Sequence, residues 1–345
     1  MLVPLWVWLA TLGGLLVLLA IDLVIVDRKP HEVTVGEAGR WVAFYVACAV
    51  AFGVGVWLFA GGTYAGEFFA GYITEYSLSV DNLFIFMVIM SAFAVPKIHQ
   101  HKVLLVGIVL ALVMRGIFIA VGAVAINEFS WIFYLFGVFL VYTAVKLSKE
   151  GLGDSEEYEE NAMTKLARRV LPVTDRYHGG SSVVRLDGKR FVTPMFLVMV
   201  AIGTADLLFA VDSIPAIFGL TQEPFLVFTA NAFALMGLRQ LYFLLGGLLR
   251  KLVYLPIGLA VILAFIGVKL VLHAMHENTL SFINGGQPLP VPEVSIAVSL
   301  VVIVGVLAIT TAASLWKTRR DGLKETERVR AAETAERAAA ESQQG

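Results

Sequence analysis

The sequence predicts an all-α polytopic membrane protein with about nine transmembrane helices, and three observations support this fold class. Hydrophobic residues make up 58% of the 345-residue chain and charged residues only 15%, with a mean hydropathy of +0.81. Soluble domains carry about 25% charged residues. Nine apolar runs are each long enough to cross a bilayer, which takes about 20 helical residues. Finally, lysine and arginine are concentrated in alternate loops between those runs.

The first apolar run lacks the basic start of a signal peptide and is long enough to span the membrane, so we expect it to be retained. The nine predicted spans lie at 3–26, 41–60, 72–94, 103–124, 130–148, 195–218, 225–248, 254–275 and 294–316.

The charges of the loops predict that the N-terminus lies outside and the C-terminus lies in the cytoplasm. Lysine and arginine occur in the loops 27–40, 95–102 and 149–191, at Arg250 and Lys251, and in the tail. The intervening loops contain neither residue and hold glutamates instead: 61–71, 125–129, 219–224 and 276–293. Cytoplasmic loops of membrane proteins are the ones enriched in lysine and arginine.

The chain divides into one membrane transporter domain, residues 1–316, and a charged cytoplasmic tail, residues 317–345. The tail has mixed charge and many alanines, which predicts a solvated helix or a frayed end. Within the membrane domain, repeat 1 covers about 72–148, a cytoplasmic loop covers 149–191, repeat 2 covers about 192–275, and the last span covers about 294–316.

The two repeats share the order of their charged residues. Spans three and six each carry two acids, spans four and seven carry Arg115 and Arg239, and spans five and eight carry Lys146 and Lys269. Three spans per repeat is an odd number, so the second copy enters the membrane from the opposite side. This arrangement is the inverted repeat of many secondary transporters, which bind substrate at the repeat interface near the midplane.

The intramembrane acids are the strongest functional signal in the sequence. Glu75 lies six residues before Asp81, and Asp206 lies six residues before Asp212. The second acid of each pair is followed by a polar residue, Asn82 in one repeat and Ser213 in the other. A charged carboxylate at the centre of a spanning helix costs about 2.5–3.5 kcal/mol even on the lenient insertion scale. The acids therefore need a compensating partner, and a cation is the simplest one.

Helix geometry limits how these acids bind a single ion. Six residues turn an ideal helix by about 600° and advance it by about 9 Å, so the two acids of one pair diverge by about 120°. Either the ligands come from both repeats, or a helix is broken at the site. Pro194 and Pro215 allow span six to bend or break. An all-oxygen ligand set suits Mg²⁺, Ca²⁺ and Mn²⁺.

Other buried polar residues leave alternatives open. Arg115 and Arg239 neutralise the acids in a purely structural reading, but four acids against two arginines leave a surplus of negative charge. Asn231 is either a ligand or a partner in an interhelical hydrogen bond. Asp22, near the cytoplasmic end of span one, either snorkels to the interface or joins the site.

At these residues the sequence resembles the TerC (Alx/TerC) family of bacterial integral membrane proteins, over roughly residues 20–275. The resembling segments are 27–32, 75–84 (EYSLSVDNLF), 206–216 (DLLFAVDSIPA) and 231–243 (NAFALMGLRQLYF). The resemblance implies a transporter of the cytoplasmic membrane that exports Mn(II), with the acids of the two repeats as metal ligands. One departure matters: many members carry a glutamate where this chain has Gly203, which puts the metal preference in question.

The acidic residues predict an exporter of a divalent cation with proton exchange as the driving reaction, and the resemblance implies Mn²⁺ above other cations and a location in the bacterial cytoplasmic membrane. We expect the cation and membrane lipid as partners, no nucleic acid, no resident cofactor and no enzymatic activity. The sequence identifies no protein partner. Two alternatives remain: a membrane-protein assembly or interaction scaffold that uses the 149–191 loop and the tail, and an exporter of a small organic solute similar to the lysine exporters.

Overall fold

The computed structural model describes residues 3–26, 34–129, 131–150, 162–186, 188–245, 252–278, 280 and 283–342. Eleven helices and two short strands make up this part of the chain: α1 Leu5–Val26, α2 Val35–Ala60, α3 Gly62–Ala92, α4 Lys97–Glu128, α5 Ile132–Glu150, α6 Ala162–Val170, β1 Val183–Leu186, β2 Lys189–Val192, α7 Pro194–Phe218, α8 Pro224–Met236, α9 Leu238–Leu245, α10 Leu255–His276 and α11 Ile296–Ser342.

The predicted fold class is confirmed: the protein is an all-α polytopic membrane protein. Seven helices in the described part are long and apolar enough to cross a membrane, namely α2, α3, α4, α5, α7, α10 and α11. The apolar stretch of α1 is shorter, at Leu5–Ile21. The seventh predicted span consists of two shorter helices, α8 and α9. The total of nine crossings and their orientation therefore remain predictions.

Two helices extend well beyond the predicted spans. Helix α3 begins at Gly62, about three turns before the predicted start at 72, so most of the predicted outer loop is helical. Gly61 separates it from α2 with a φ of 102°, a conformation that glycine adopts without a steric penalty. Helix α11 continues past the predicted end at 316 and takes the charged tail with it as far as Ser342.

The prolines of span six allow a break in that helix, but the structure shows an interruption in span seven instead. Helix α7 is continuous from Pro194 to Phe218, with Pro215 inside its last turn. Proline removes the hydrogen bond that its amide would donate to the Val211 carbonyl, and the helix ends three residues later, at Phe218. The helix of span seven is instead interrupted at Gly237, two residues before the buried Arg239.

The two repeats interlock in a reciprocal pattern. Helix α3, the first of repeat 1, packs against α8, the second of repeat 2, and α4 packs correspondingly against α7. The third helices, α5 and α10, pack against each other. Two-fold symmetry requires contacts of this kind, in which each element meets the counterpart of its partner. The pairing is of the kind that the predicted repeats require, and the repeat boundaries stay a prediction.

Two glycines allow α5 and α10 to approach closely. A Cβ added to Gly137 would lie 2.7 Å from the carbonyl oxygen of Gly267, and a Cβ added to Gly267 would lie 2.8 Å from that of Gly137. Membrane helices associate through small residues because these bring the two backbones into van der Waals contact. The contact is itself reciprocal, as the repeat symmetry requires.

The loop between the repeats is tied to the predicted cytoplasmic ends of several helices. It contains α6 and the antiparallel hairpin of β1 and β2. Tyr177 donates a hydrogen bond to the Phe93 carbonyl at 2.8 Å, and Lys102 donates one to the Gly180 carbonyl at 2.7 Å. Burial raises the pKa of Tyr177 above its usual value, so its hydroxyl remains a donor at neutral pH.

Replacing Gly137 by alanine should destabilise the protein by about 1–3 kcal/mol, because the added methyl group meets the Gly267 carbonyl oxygen and the backbone amide of Val271 as well as the Val271 side chain. Thermal unfolding of the detergent-solubilised protein measures this. Gly305→Ala is the matched control, since a Cβ at Gly305 meets nothing within 4 Å. Equal melting temperatures for the two variants would contradict the close approach of α5 and α10.

The predicted orientation is tested by single cysteines in a Cys48→Ala background. A membrane-impermeant maleimide should label Gln287→Cys, in the 276–293 loop, in intact cells. It should label Ser342→Cys, at the end of α11, only after the cells are permeabilised. The opposite pattern would reverse the orientation.

Candidate functional site

Five polar side chains from four helices meet in the interior of the protein. They are Glu75 of α3, Arg115 of α4, Asp206 and Ser213 of α7, and Asn231 of α8. None is more than 2% exposed. Helices α3 and α4 belong to repeat 1, whereas α7 and α8 belong to repeat 2, so the cluster lies at the interface between the repeats.

Arg115 is the centre of the cluster. Its Nη1 forms an ion pair with Oε1 of Glu75, and its Nη2 lies 3.3 Å from Oδ1 of Asp206. The same Nη1 donates to the Ser213 hydroxyl at 3.3 Å. A guanidinium presents five donors in a planar fork and stays charged at every physiological pH, which suits it to bridging two carboxylates.

The two carboxylates are neutralised incompletely. Asn231 donates from Nδ2 to Oε1 of Glu75 at 2.6 Å. However, Oε2 of Glu75 and Oδ2 of Asp206 accept no hydrogen bond from any described residue, although both atoms are buried. With both carboxylates ionised and the Arg115 guanidinium positive, these three groups also have a net charge of −1. A buried charge without compensation costs several kcal/mol, so the cluster favours binding a cation or a proton.

Asp212 lies apart from this cluster and has a different set of partners. The Thr143 hydroxyl of α5 donates to its Oδ1 at 3.1 Å, and Lys146 of α5 is a charged neighbour. Asp212 is half-buried. The structure thus separates the two acids of span six, as the 120° divergence on a continuous helix predicts.

The remaining predicted residues are placed as follows. Asn82 is buried on α3, and Arg239 is buried at the start of α9. The side chains of Asp22 and Asp81 lie outside the described part of the structure, although both residues belong to helices. Among the side chains that are described, no three from histidine, cysteine, aspartate and glutamate come close enough together to hold a metal ion.

The absence of a glutamate at position 203 has a structural counterpart. A Cβ at Gly203 would lie 2.5 Å from Cδ2 of Leu110 on α4. The two helices therefore pack more closely here than a larger residue would allow without a shift of the leucine side chain. This contact lies one turn before Asp206 on the same helix.

A polar cavity that we did not predict opens near the start of α3 and the end of α10. It has a volume of about 340 Å³ and is lined by Tyr64, Glu67, Phe218, Gly219, Leu220, Thr221, Gln222, Glu223, Lys269, Leu270 and His273. Oε2 of Glu67 accepts a hydrogen bond from Thr221 at 2.6 Å, and the Nε2 atoms of Gln222 and His273 are 2.6 Å apart. The sequence predicts a loop over 61–71, which contains Glu67, whereas the structure has this residue in helix α3.

The position of this cavity relates it to the buried cluster. Glu67 precedes Glu75 by eight residues on α3, a rise of about 12 Å along the helix. The volume accommodates roughly ten water molecules at about 30 Å³ each. According to the loop charges, this side of the protein faces out of the cell.

This sequence is similar to a family of integral membrane proteins and to membrane proteins of several bacteria. The sequence pattern of the integral membrane protein TerC family matches residues 60–322. An uncharacterized membrane protein of Mycobacterium tuberculosis is 50% identical over 316 residues, covering 91% of this chain and 80% of that protein. A protein of Escherichia coli, named Alx and described as a proposed membrane-bound redox modulator, is 36% identical, with coverage of 87% of this chain and 91% of that protein. No solved structure matches.

Replacing Arg115 by glutamine should destabilise the protein by about 3–5 kcal/mol, because two buried carboxylates lose their shared counter-charge. Thermal unfolding of the solubilised protein measures the loss. Adding Glu75→Gln to this variant should recover part of it, since one uncompensated carboxylate is then neutral. If the double variant were no more stable than Arg115→Gln alone, Arg115 would not be acting as the counter-charge.

Proposed function

Because the chain belongs to the TerC family of integral membrane proteins, we propose that it exports a divalent metal cation, Mn²⁺ above others, from the bacterial cytoplasm. The observation that carries this proposal is the buried pair of carboxylates, Glu75 and Asp206, contributed by opposite repeats and joined by Arg115. The bacterial relatives support a location in the cytoplasmic membrane.

The charge of the cluster favours a divalent cation over an anion or a neutral solute. Without Arg115, the two carboxylates carry a charge of −2, which a single divalent cation balances. The neighbouring Ser213 hydroxyl adds another oxygen, and hard cations such as Mn²⁺ and Mg²⁺ bind oxygen ligands. An oxyanion would be repelled by the same carboxylates.

Arg115 acts in this proposal as an internal substitute for the transported ion. Its guanidinium contacts both carboxylates, so it must leave at least one of them before a cation binds both. When the cation departs, the guanidinium returns and again compensates the buried charge. The empty transporter thereby avoids the cost of two unpaired carboxylates in the membrane interior.

Movement of one repeat relative to the other would carry the ion across. The carboxylates belong to different repeats, so a rocking movement at the repeat interface alters their separation and hence their affinity for the ion. We propose the cavity beside Glu67 as the exit compartment, because its volume of about 340 Å³ admits a cation together with its water shell.

Protons are the counter-ions that this chemistry favours. A carboxylate released by the metal accepts a proton readily when it is desolvated, because burial disfavours its charged form. We therefore propose exchange of the cation against protons. Transport into proteoliposomes that ignored an imposed pH gradient would disprove this coupling while leaving metal export intact.

Asp81, Asp212 and Asn82 take secondary roles in the proposal. Asp212 lies with Thr143 and Lys146, apart from the central cluster, and we assign it to the path of the ion or proton rather than to the central ligand set. Asp81 and Asn82 both lie about two turns beyond Glu75 along α3 and would extend the path on the cytoplasmic side.

The relative named as a redox modulator suggests a second function that this chain does not favour. The present sequence has one cysteine, Cys48, so a thiol–disulfide cycle within this chain is impossible. We also propose no enzymatic activity and no resident cofactor, with the cation and the surrounding lipid as the binding partners. A scaffold function would require the intramembrane acids to be dispensable, and the export measurement with Asp206→Asn tests this.

Asp206→Asn should abolish metal export, because only one carboxylate then remains to bind the ion, while Arg115 keeps Glu75 as its partner and the fold is retained. Cells loaded with Mn²⁺ should contain less manganese when they express the wild type but not when they express this variant, as measured by elemental analysis. Asp175→Asn, an exposed residue of the cytoplasmic loop, is the matched control and should behave as the wild type.

Equal manganese in cells with the wild type and with Asp206→Asn, at equal amounts of protein in the membrane, would refute the proposal. The same cells would then be assayed for other cations and for membrane-protein assembly. Direct titration of Mn²⁺ into the purified protein supplies a second measurement. We expect the Asp206→Asn substitution to weaken binding by more than about tenfold, as loss of groups around metal sites does.

A further inference from the structure

Helix α6, in the loop between the repeats, has a side-chain pattern that cation transport does not explain. Thr164 is its one fully buried described residue, and Ala167 is half-buried. These two residues lie about 60° apart on a helix, so only a narrow face of α6 packs against the protein, where it contacts α7.

The exposed surface of α6 is divided into an apolar stripe and a basic stripe. Met163, Leu166 and Val170 recur at helical spacing and are 53%, 54% and 68% exposed. Lys165 and Arg169 are exposed and form a second stripe about 110° around the helix. Helices that lie in a membrane interface combine an apolar face with lysine and arginine on the polar face.

The chain that follows α6 is fixed at the end of a membrane span. The Val192 amide donates to the Pro172 carbonyl, and the Thr174 amide donates to the Val192 carbonyl, both at 2.9 Å. Val192 is two residues before Pro194, where α7 begins. Val170, the last residue of α6, is in turn two residues before Pro172. The helix is therefore held beside the predicted cytoplasmic end of a span.

We propose that α6 lies in the inner membrane interface and binds anionic phospholipid. Met163, Leu166 and Val170 lie among the upper acyl chains, while Lys165 and Arg169 contact the headgroups. No described residue covers the apolar stripe, and the bilayer around α7 is the adjacent apolar phase. Anionic headgroups attract basic side chains at this surface, and the long stems of lysine and arginine let their charges reach the headgroup level.

The position of α6 beside a membrane span and the basic charge of its second stripe both favour lipid over a second protein as the partner of the apolar stripe. A protein partner would have to reach a stripe that borders the membrane, whereas lipid is present there already. The proposal does not depend on the identity of the transported substrate.

A fluorescent probe on the full-length protein tests this placement. In a Cys48→Ala background, Met163→Cys carries an environment-sensitive dye, and the protein is placed in nanodiscs of phosphatidylcholine with or without phosphatidylglycerol. Lipids with a quencher near the headgroup should quench the dye strongly when phosphatidylglycerol is present, and lipids with a quencher at the chain end should quench it weakly. A dye at Leu186→Cys, in the β1–β2 hairpin, is the control and should be quenched by neither.

Charge variants distinguish binding to anionic lipid from insertion of α6 into any lipid. Lys165→Gln with Arg169→Gln should remove most of the quenching that depends on phosphatidylglycerol. Lys189→Gln with Arg190→Gln removes the same number of positive charges from the β1–β2 hairpin and should leave the quenching that depends on phosphatidylglycerol unchanged. A water-exposed, unquenched dye in both lipids would overturn the proposal, and so would quenching that is equal with and without phosphatidylglycerol.

Discussion

The ion bridge from Arg115 to Glu75 and Asp206 is the constraint on which the rest of the structure depends. Three charged groups, none more than 2% exposed, are tolerable in a membrane interior only if they compensate one another. Because the carboxylates come from different repeats, this compensation exists only when the repeats are assembled. The bridge thus links the chemistry of the site to the packing of four helices, and it explains why an arginine lies between acids that are proposed to bind a cation.

Reciprocal packing of the repeats makes this assembly possible. Helices α3 and α4 meet α8 and α7, and the close approach at Gly137 and Gly267 joins the third helices. In lipid, helices are held together by close packing and polar contacts rather than by burial of apolar area. The close approach at Gly137 and Gly267 and the buried ionic cluster supply both.

The polar groups along the repeat interface are unevenly distributed. The central cluster is closed, whereas the cavity beside Glu67 is open enough to hold water. On the predicted cytoplasmic side, Tyr177 and Lys102 tie the inter-repeat loop to the ends of α3 and α4. Such contacts restrain the cytoplasmic face while the opposite face remains open. In the proposed export cycle, these contacts and the open cavity correspond to the state in which the site faces out of the cell.

Much of this protein was determined by the sequence alone. Hydropathy predicted most of the helices, because a helix satisfies its own backbone hydrogen bonds in lipid, and the order of the acids, arginines and lysines predicts the repeats. Tertiary structure decided which acids meet. Glu75 and Asp206 share Arg115, whereas Asp212 accepts a hydrogen bond from Thr143. Residues six apart on one helix point in directions about 120° apart, so Asp206 and Asp212 face different neighbours. Only the packing of the helices brings Glu75 close to Asp206. It also decided that Glu67 belongs to a helix, and that span seven rather than span six is interrupted. These outcomes depend on contacts between segments far apart in the chain, which local sequence does not encode.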